Sequence, residues 1–154
     1  MLRDTVEAAR RSLRRNWETS GQWDRIKVTL PEGLTPVFAD TEGLSIVLEL
    51  LLDNAIKFSK ERPDTPVELA ATITGEEVEI RVRDYGIGIP KDKLDMIFAT
   101  FYQVDSSTTR RYGGAGVGLA IVRLILERHQ SKIEVESQQD KGSTFWFRLK
   151  TVSV

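Results

Sequence analysis

"VELAATITGEEVEIRVRDYGIGIP", residues 67–90, holds two runs of alternating apolar and polar residues that meet at Gly75. Alternation with period two puts Val78, Ile80 and Val82 on one face, and the tight joint between the runs predicts an antiparallel hairpin. The second run stops at Asp84, and Gly86, Gly88 and Pro90 follow. Two readings fit this ending. A tight turn capped by an aspartate is the more ordinary meaning of an isolated Asp-x-Gly-x-Gly. The other is a carboxylate at a strand end beside backbone bare enough for a flat ligand, accepting a hydrogen bond from an exocyclic amine such as that of adenine.

The elements on either side set a frame. Upstream, Leu2, Val6, Ala9, Leu13 and Trp17 recur at helical spacing, and Arg10, Arg11, Arg14 and Arg15 read as a solvated face, with a contact patch for a partner as the alternative. "RIKVTL" (25–30) alternates like a strand, Pro31, Gly33 and Pro36 mark a loop, and "VFA" (37–39) reads as a short strand. Asp40 or Thr41 then caps a helix over about 42–59, apolar nearly all round and so deeply buried, which "RPDTP" (62–66) ends. Downstream come a short helix near 91–98, a polar stretch, and a glycine run opening a helix to about His129. A last hairpin joins "KIEVES" (132–137) to "TFWFRL" (144–149). Helices and hairpins without regular βαβ units predict an α/β two-layer sandwich with a mixed sheet.

Composition narrows the function. The chain has 154 residues, 40% of them hydrophobic and 29% charged, and a net charge of −1, as expected of one globular domain spanning 1–154 with no bias toward nucleic acid. It has no cysteine, which excludes a disulfide, a zinc–thiolate site and a thiol nucleophile. No apolar stretch is long enough for a membrane span, and the first residues lack a signal-peptide core.

Polar residues on elements expected to be buried are the informative ones. In "IVLELLLDNAIKFS" (46–59), Asn54, Lys57 and Phe58 share a helix face. That stripe suits a ligand, and equally suits an amide bonded to backbone beside a lysine reaching for water. In "GGAGVG" (113–118), free backbone N–H groups at a helix start suit phosphate oxygens, with a ligand-free glycine hinge as the alternative. The Walker loop would need a following Lys-Ser/Thr, and the dinucleotide fingerprint a different spacing after a strand.

Together these segments resemble the ATP-binding catalytic domain of sensor histidine kinases, in the superfamily shared with gyrase, the Hsp90 chaperone and MutL. "DNAIKFS" resembles the family's N box, "DYGIGIP" its first glycine box, "IFATFYQVD" its F box and "GGAGVGLAIV" its second glycine box, while "KGSTFWFRL" matches its closing strand pair. The resemblance implies a mixed sheet of about five strands under three helices, binding ATP and Mg²⁺. By the same resemblance Asp84 accepts from the adenine amine, with Thr144 supporting it through water, and Gly86 and Gly88 admit the ring. Asn54 ligates Mg²⁺, Lys57 meets phosphate and Phe58 packs near the nucleotide. Gly114, Gly116 and Gly118, with Val117 and Leu119, form the phosphate end of a lid that orders on nucleotide, and Arg110 or Arg111 supplies charge near the γ-phosphate.

Three positions depart from the family pattern. Leu50 stands where members usually carry Asn and the hydrolytic relatives a catalytic Glu; Glu49 is one residue away, turned about 100° around the helix. Gln103 stands where several kinases place Arg, and "HQS" (129–131) replaces His-Gly-Gly. The first two bear on catalytic rate more than on nucleotide binding.

The function implied is a kinase part that presents the γ-phosphoryl of Mg·ATP to a histidine on a dimerisation and phosphoacceptor domain of the same parent protein, with a response regulator downstream. No nucleic acid and no direct membrane contact is expected. The implied location is cytoplasmic, including the cytoplasmic part of an anchored sensor. The alternatives are a catalytically impaired nucleotide-binding regulatory module, a gyrase- or chaperone-type hydrolytic clamp, against which Leu50 argues, and an anti-sigma serine kinase. His129, the only histidine, is expected to be structural and not a general base.

Overall fold

Asp40 opens the central helix, α2 (Thr41–Phe58), by accepting the Gly43 N–H at 3.0 Å. The cap satisfies one of the helix's unpaired first-turn donors. The Asp40 N–H in turn donates to His129 Nε2 at 2.9 Å, while His129 Nδ1 lies 2.8 Å from the Ile125 carbonyl. The ring therefore carries its proton on Nδ1 and fastens the start of α2 to the end of α3 (Ala115–Arg128). That is the structural role expected of it.

The computed structural model describes residues 2–17, 22–94, 96–98 and 115–152. The remaining elements are α1 (Leu2–Trp17), β1 (Ile26–Thr29), β2 (Val67–Thr74), β3 (Glu77–Asp84), β4 (Glu134–Gln138) and β5 (Gly142–Lys150). The strands form one mixed sheet in the order β1-β2-β3-β5-β4, with β1 parallel to β2 and every other pair antiparallel. Among the described residues the three α-helices lie side by side, α2 between α1 and α3.

Periodicity explains what is buried. Leu2, Val6, Ala9 and Leu13 of α1 and Leu119, Val122 and Leu126 of α3 turn the apolar stripe of each helix inward. Between them α2 buries Val47, Leu48, Leu51, Leu52 and Ile56 against Ile80, Val82, Phe145 and Phe147 of the sheet. Each large side chain buried this way contributes about 1.5–3 kcal/mol. The opposite sheet face is polar: Glu79 is buried between Arg81 and Arg148, and the Arg81 guanidinium sits 5.1 Å over the Trp146 ring.

Two expectations need correcting. "VFA" forms no strand of the sheet; Val37 makes a single antiparallel bridge to Thr151. The short helix near 91–98 is a 3₁₀ turn over Lys91–Lys93 with further turns, because its bonds run from residue i+3 to i, as in Lys93 N–H to Pro90 O (2.9 Å) and Met96 N–H to Lys93 O (3.0 Å). Ile97 is still buried, and Phe98 meets Phe145 edge-on at 6.2 Å.

Candidate nucleotide site

Asp84 ends β3 on the face that buries Val78, Ile80 and Val82, and it is only 2% exposed. Burial raises its carboxyl from 3.8 to about 6, although the Gly86 and Ser143 N–H groups and the Arg25 and Arg83 cations all favour the charged form. One of those bonds, Gly86 N–H to Asp84 Oδ1, spans 2.9 Å. A desolvated acceptor at a strand end, held by two backbone donors, is prepared for a ligand donor.

Ser143 lies opposite Asp84 across the β3–β5 ladder and is likewise buried. Its hydroxyl lies 2.7 Å from Ser137 Oγ, which accepts the Ile89 N–H at 2.7 Å and donates to the Gly142 carbonyl at 3.1 Å. Ser143 is thus the donor to Ser137, and its own oxygen remains an acceptor. Thr144, expected to support Asp84, pairs with Arg83 instead. The physical reason is the strand period: one residue along β5 reverses the side chain to the other face. Ser143, not singled out from the sequence, is the residue that the ladder puts beside Asp84, and parity counted back from the buried Phe145 and Phe147 points to it.

Backbone packing also requires these glycines. A Cβ on Gly86 would stand 2.0 Å from the Phe58 carbonyl oxygen, and one on Gly88 (φ +70°) 2.2 Å from the Gln138 carbonyl oxygen. Expected to admit a ring, they admit other backbone: the end of α2 on one side and the β4–β5 turn on the other. Gly142 does the same against Asp84, with a Cβ position 2.1 Å from its carbonyl oxygen.

On α2, Asn54 is 4% exposed, and its Nδ2 has no hydrogen-bond partner among the described residues. A half-turn about χ2 exchanges oxygen and nitrogen, so this position can present either atom to a ligand. No group of three or more His, Cys, Asp or Glu side chains gathers to hold a metal among the described residues. A single amide oxygen fits a Mg²⁺ that takes its other ligands from phosphate and water. The Lys57 ammonium lies 2.7 Å from Asp53 Oδ2 one turn back, and Phe58 is buried. Glu49 accepts from Ser12 of α1 at 2.8 Å, while a Cβ on Gly118 would lie 3.5 Å from Leu50 Cδ2. Leu50 therefore borders the glycine-rich start of α3, and Glu49 faces away toward α1.

Gly116 and Val117 lie in the first turn of α3, and Leu119 is in the core. Gln103, Arg110, Arg111 and Gly114 lie outside the described residues. A cleft of about 700 Å³ opens beside the sheet end and is lined by Arg83, Ile89, Lys91, Leu94, Val135 and Ser137, with Ser143 and Thr144 of β5. Asp84, Asn54, Lys57 and Phe58 do not line this cleft; Ser143, the ladder partner of Asp84, does.

A buried acceptor at a strand end, an unpartnered amide on the central helix and a glycine-rich helix start define a nucleotide-binding domain of the two-layer α/β kind. Residues 39–153 match the family described as histidine kinase-, DNA gyrase B- and HSP90-like ATPases, and the chain belongs to that family. The methanogenesis regulatory histidine kinase FilI of Methanothrix harundinacea is 40% identical over 126 residues, covering 82% of this chain but 14% of that kinase. Among solved structures, the mycobacterial sensor histidine kinase MprB matches with a TM-score of 0.77 at 25% identity, covering 99% of this chain and 97% of that one. Full-length ShkA in complex with AMPPNP also matches with a TM-score of 0.77, at 26% identity, covering 100% of this chain and 31% of that one. The five-stranded mixed sheet with three helices is the fold of histidine kinase catalytic domains.

Proposed function

We propose that this chain is the ATP-binding part of a sensor histidine kinase, presenting a γ-phosphoryl group to a histidine on a phosphoacceptor domain of the same parent protein. The observation that carries the reading is Asp84: a buried carboxylate at a strand end, opposite Ser143, in a chain of the ATPase family. The carboxylate accepts from the adenine amine, a donor that guanine lacks at that ring position. Asn54 offers its amide oxygen to Mg²⁺, which neutralises phosphate charge when bound. The Lys57 ammonium adds a point charge for phosphate, releasing or sharing Asp53. In the transfer, the bond from the γ-phosphorus to the bridging oxygen breaks as one to an imidazole nitrogen forms, and ADP leaves. Positioning and charge neutralisation carry most of the rate. His129 is not the acceptor, since both ring nitrogens are engaged in holding α2 to α3.

Mixing the chain with γ-labelled ATP and a supplied dimerisation and phosphoacceptor domain tests this reading. Label appearing on the acceptor histidine supports it. Binding of ATP without transfer to any acceptor domain would reduce the chain to a nucleotide-binding module.

A further inference from the structure

Arg62, in the connection between α2 and β2, gathers three carbonyls at one guanidinium nitrogen. Its Nη1 donates to Tyr85 O at 2.9 Å, Gly86 O at 3.2 Å and Asp140 O at 2.8 Å. One nitrogen has two hydrogens, so one N–H is shared. Two of these carbonyls belong to the turn that follows Asp84, and the third to the β4–β5 turn that leads into Ser143. Backbone bonds close the same junction: Ile87 N–H to Phe58 O at 3.1 Å, and Asp140 N–H to Ile87 O at 2.7 Å.

The arginine is itself held from behind. Its N–H donates to Ser59 O at 2.9 Å, and its carbonyl accepts from Thr65 N–H at 3.0 Å, Thr65 Oγ1 at 2.6 Å and Arg25 Nη2 at 3.3 Å. The buried Arg25 also donates to Ser59 Oγ at 2.7 Å and Thr65 O at 2.9 Å. Three converging carbonyl dipoles beside a buried carboxylate concentrate negative potential, and a fixed cation offsets it. The close approaches at Gly86 and Gly88 set the spacing of the turns, and Arg62 ties them across it.

Resting on the nucleotide reading above, we propose that Arg62 is a positioning residue for purine selection: it locks the Asp84 turn to the Ser143 turn, so that the two acceptors meet the base as one preset unit. Arg62 touches no nucleotide itself. It acts through the backbone on either side of Asp84 and Ser143, and so determines how sharply adenine is distinguished from guanine.

The test compares the 154-residue chain with R62A and R62K by titration with ATP and GTP and by amide exchange. R62A should bind ATP at least ten-fold more weakly and lose most of the ATP-over-GTP preference. The Ile87 and Asp140 amides should exchange at least ten-fold faster, while β2–β3 ladder amides such as that of Leu69 keep their rate. R62K, which keeps a cation with three donors, should recover half or more of the preference. If R62A fails to fold, R62Q carries the same measurements. Unchanged affinity and preference in R62A overturns the proposal, as does faster exchange throughout the sheet with no recovery in R62K. Wild-type chain that binds no ATP overturns the nucleotide reading itself, whereas wild-type binding with an indifferent R62A overturns only the role of Arg62.

Discussion

Asp84 and Ser143 are partners across the β3–β5 ladder, so their side chains leave the sheet together on the face covered by the helices. Thr144, one residue on, leaves from the other face. Ser143→Ala should weaken ATP binding by about 0.5–1.5 kcal/mol, the usual worth of one hydrogen bond. Thr144→Ala should change it less than half as much. Titration of both variants decides between them, and a larger effect at Thr144 would restore the position expected from sequence.

Gly86 and Gly118 should respond oppositely to alanine. At Gly86 a methyl group would meet Phe58 backbone oxygen at 2.0 Å, so the end of α2 or the turn must move, and a loss above about 3 kcal/mol or failure to fold is expected. At Gly118 the nearest atom is Leu50 Cδ2 at 3.5 Å, an ordinary contact, and alanine in a helix gains about 1 kcal/mol over glycine. Gly118→Ala should therefore raise the melting temperature. If it also weakens ATP binding, the glycine is there for phosphate; if binding is unchanged, phosphate does not approach Gly118.

Asn54→Ala should remove most of the gain in ATP affinity that Mg²⁺ provides, leaving metal-free binding within about three-fold, because on the proposed reading a single amide oxygen is the protein's contribution to the ion. Affinity measured with Mg²⁺ and with a chelator separates the two. An equal fall in both conditions would make Asn54 structural.

Most of the architecture was legible because its periods are clean. The alternation of Val78, Ile80 and Val82, the all-round apolar α2 and its Asp40 cap were each read from local sequence, and the structure keeps them. Asp84 and Asn54 stood out for the same reason, as polar residues where the pattern demanded apolar ones. What local sequence does not show depends on distant partners. The space beside Gly86 and Gly88 is filled by backbone from Phe58 and Gln138, which no local motif reveals. The carbonyls collected by Arg62 are 23, 24 and 78 positions away, and a lone loop arginine carries no sign of them. Thr144 is the position the motif suggests, whereas the parity of β5 puts Ser143 beside Asp84.

On the proposed nucleotide reading, Asp84 is kept buried and ionised for a ligand at the expense of the fold. Its pKa is raised in the native state, from 3.8 to about 6, so its contribution to stability is fully present below pH 3.8 and is lost as pH rises through about 6. By pH 7 the ionised carboxylate costs about 3 kcal/mol. The most direct test is Asp84→Asn, measured for both unfolding and ATP titration at pH 7.5 and pH 4. The variant should be more stable than the wild type at pH 7.5 and nearly equal to it at pH 4, while its ATP affinity at pH 7.5 falls at least ten-fold. A folded Asp84→Asn chain that binds ATP as tightly as the wild type, or that is less stable at pH 7.5, would contradict the claim.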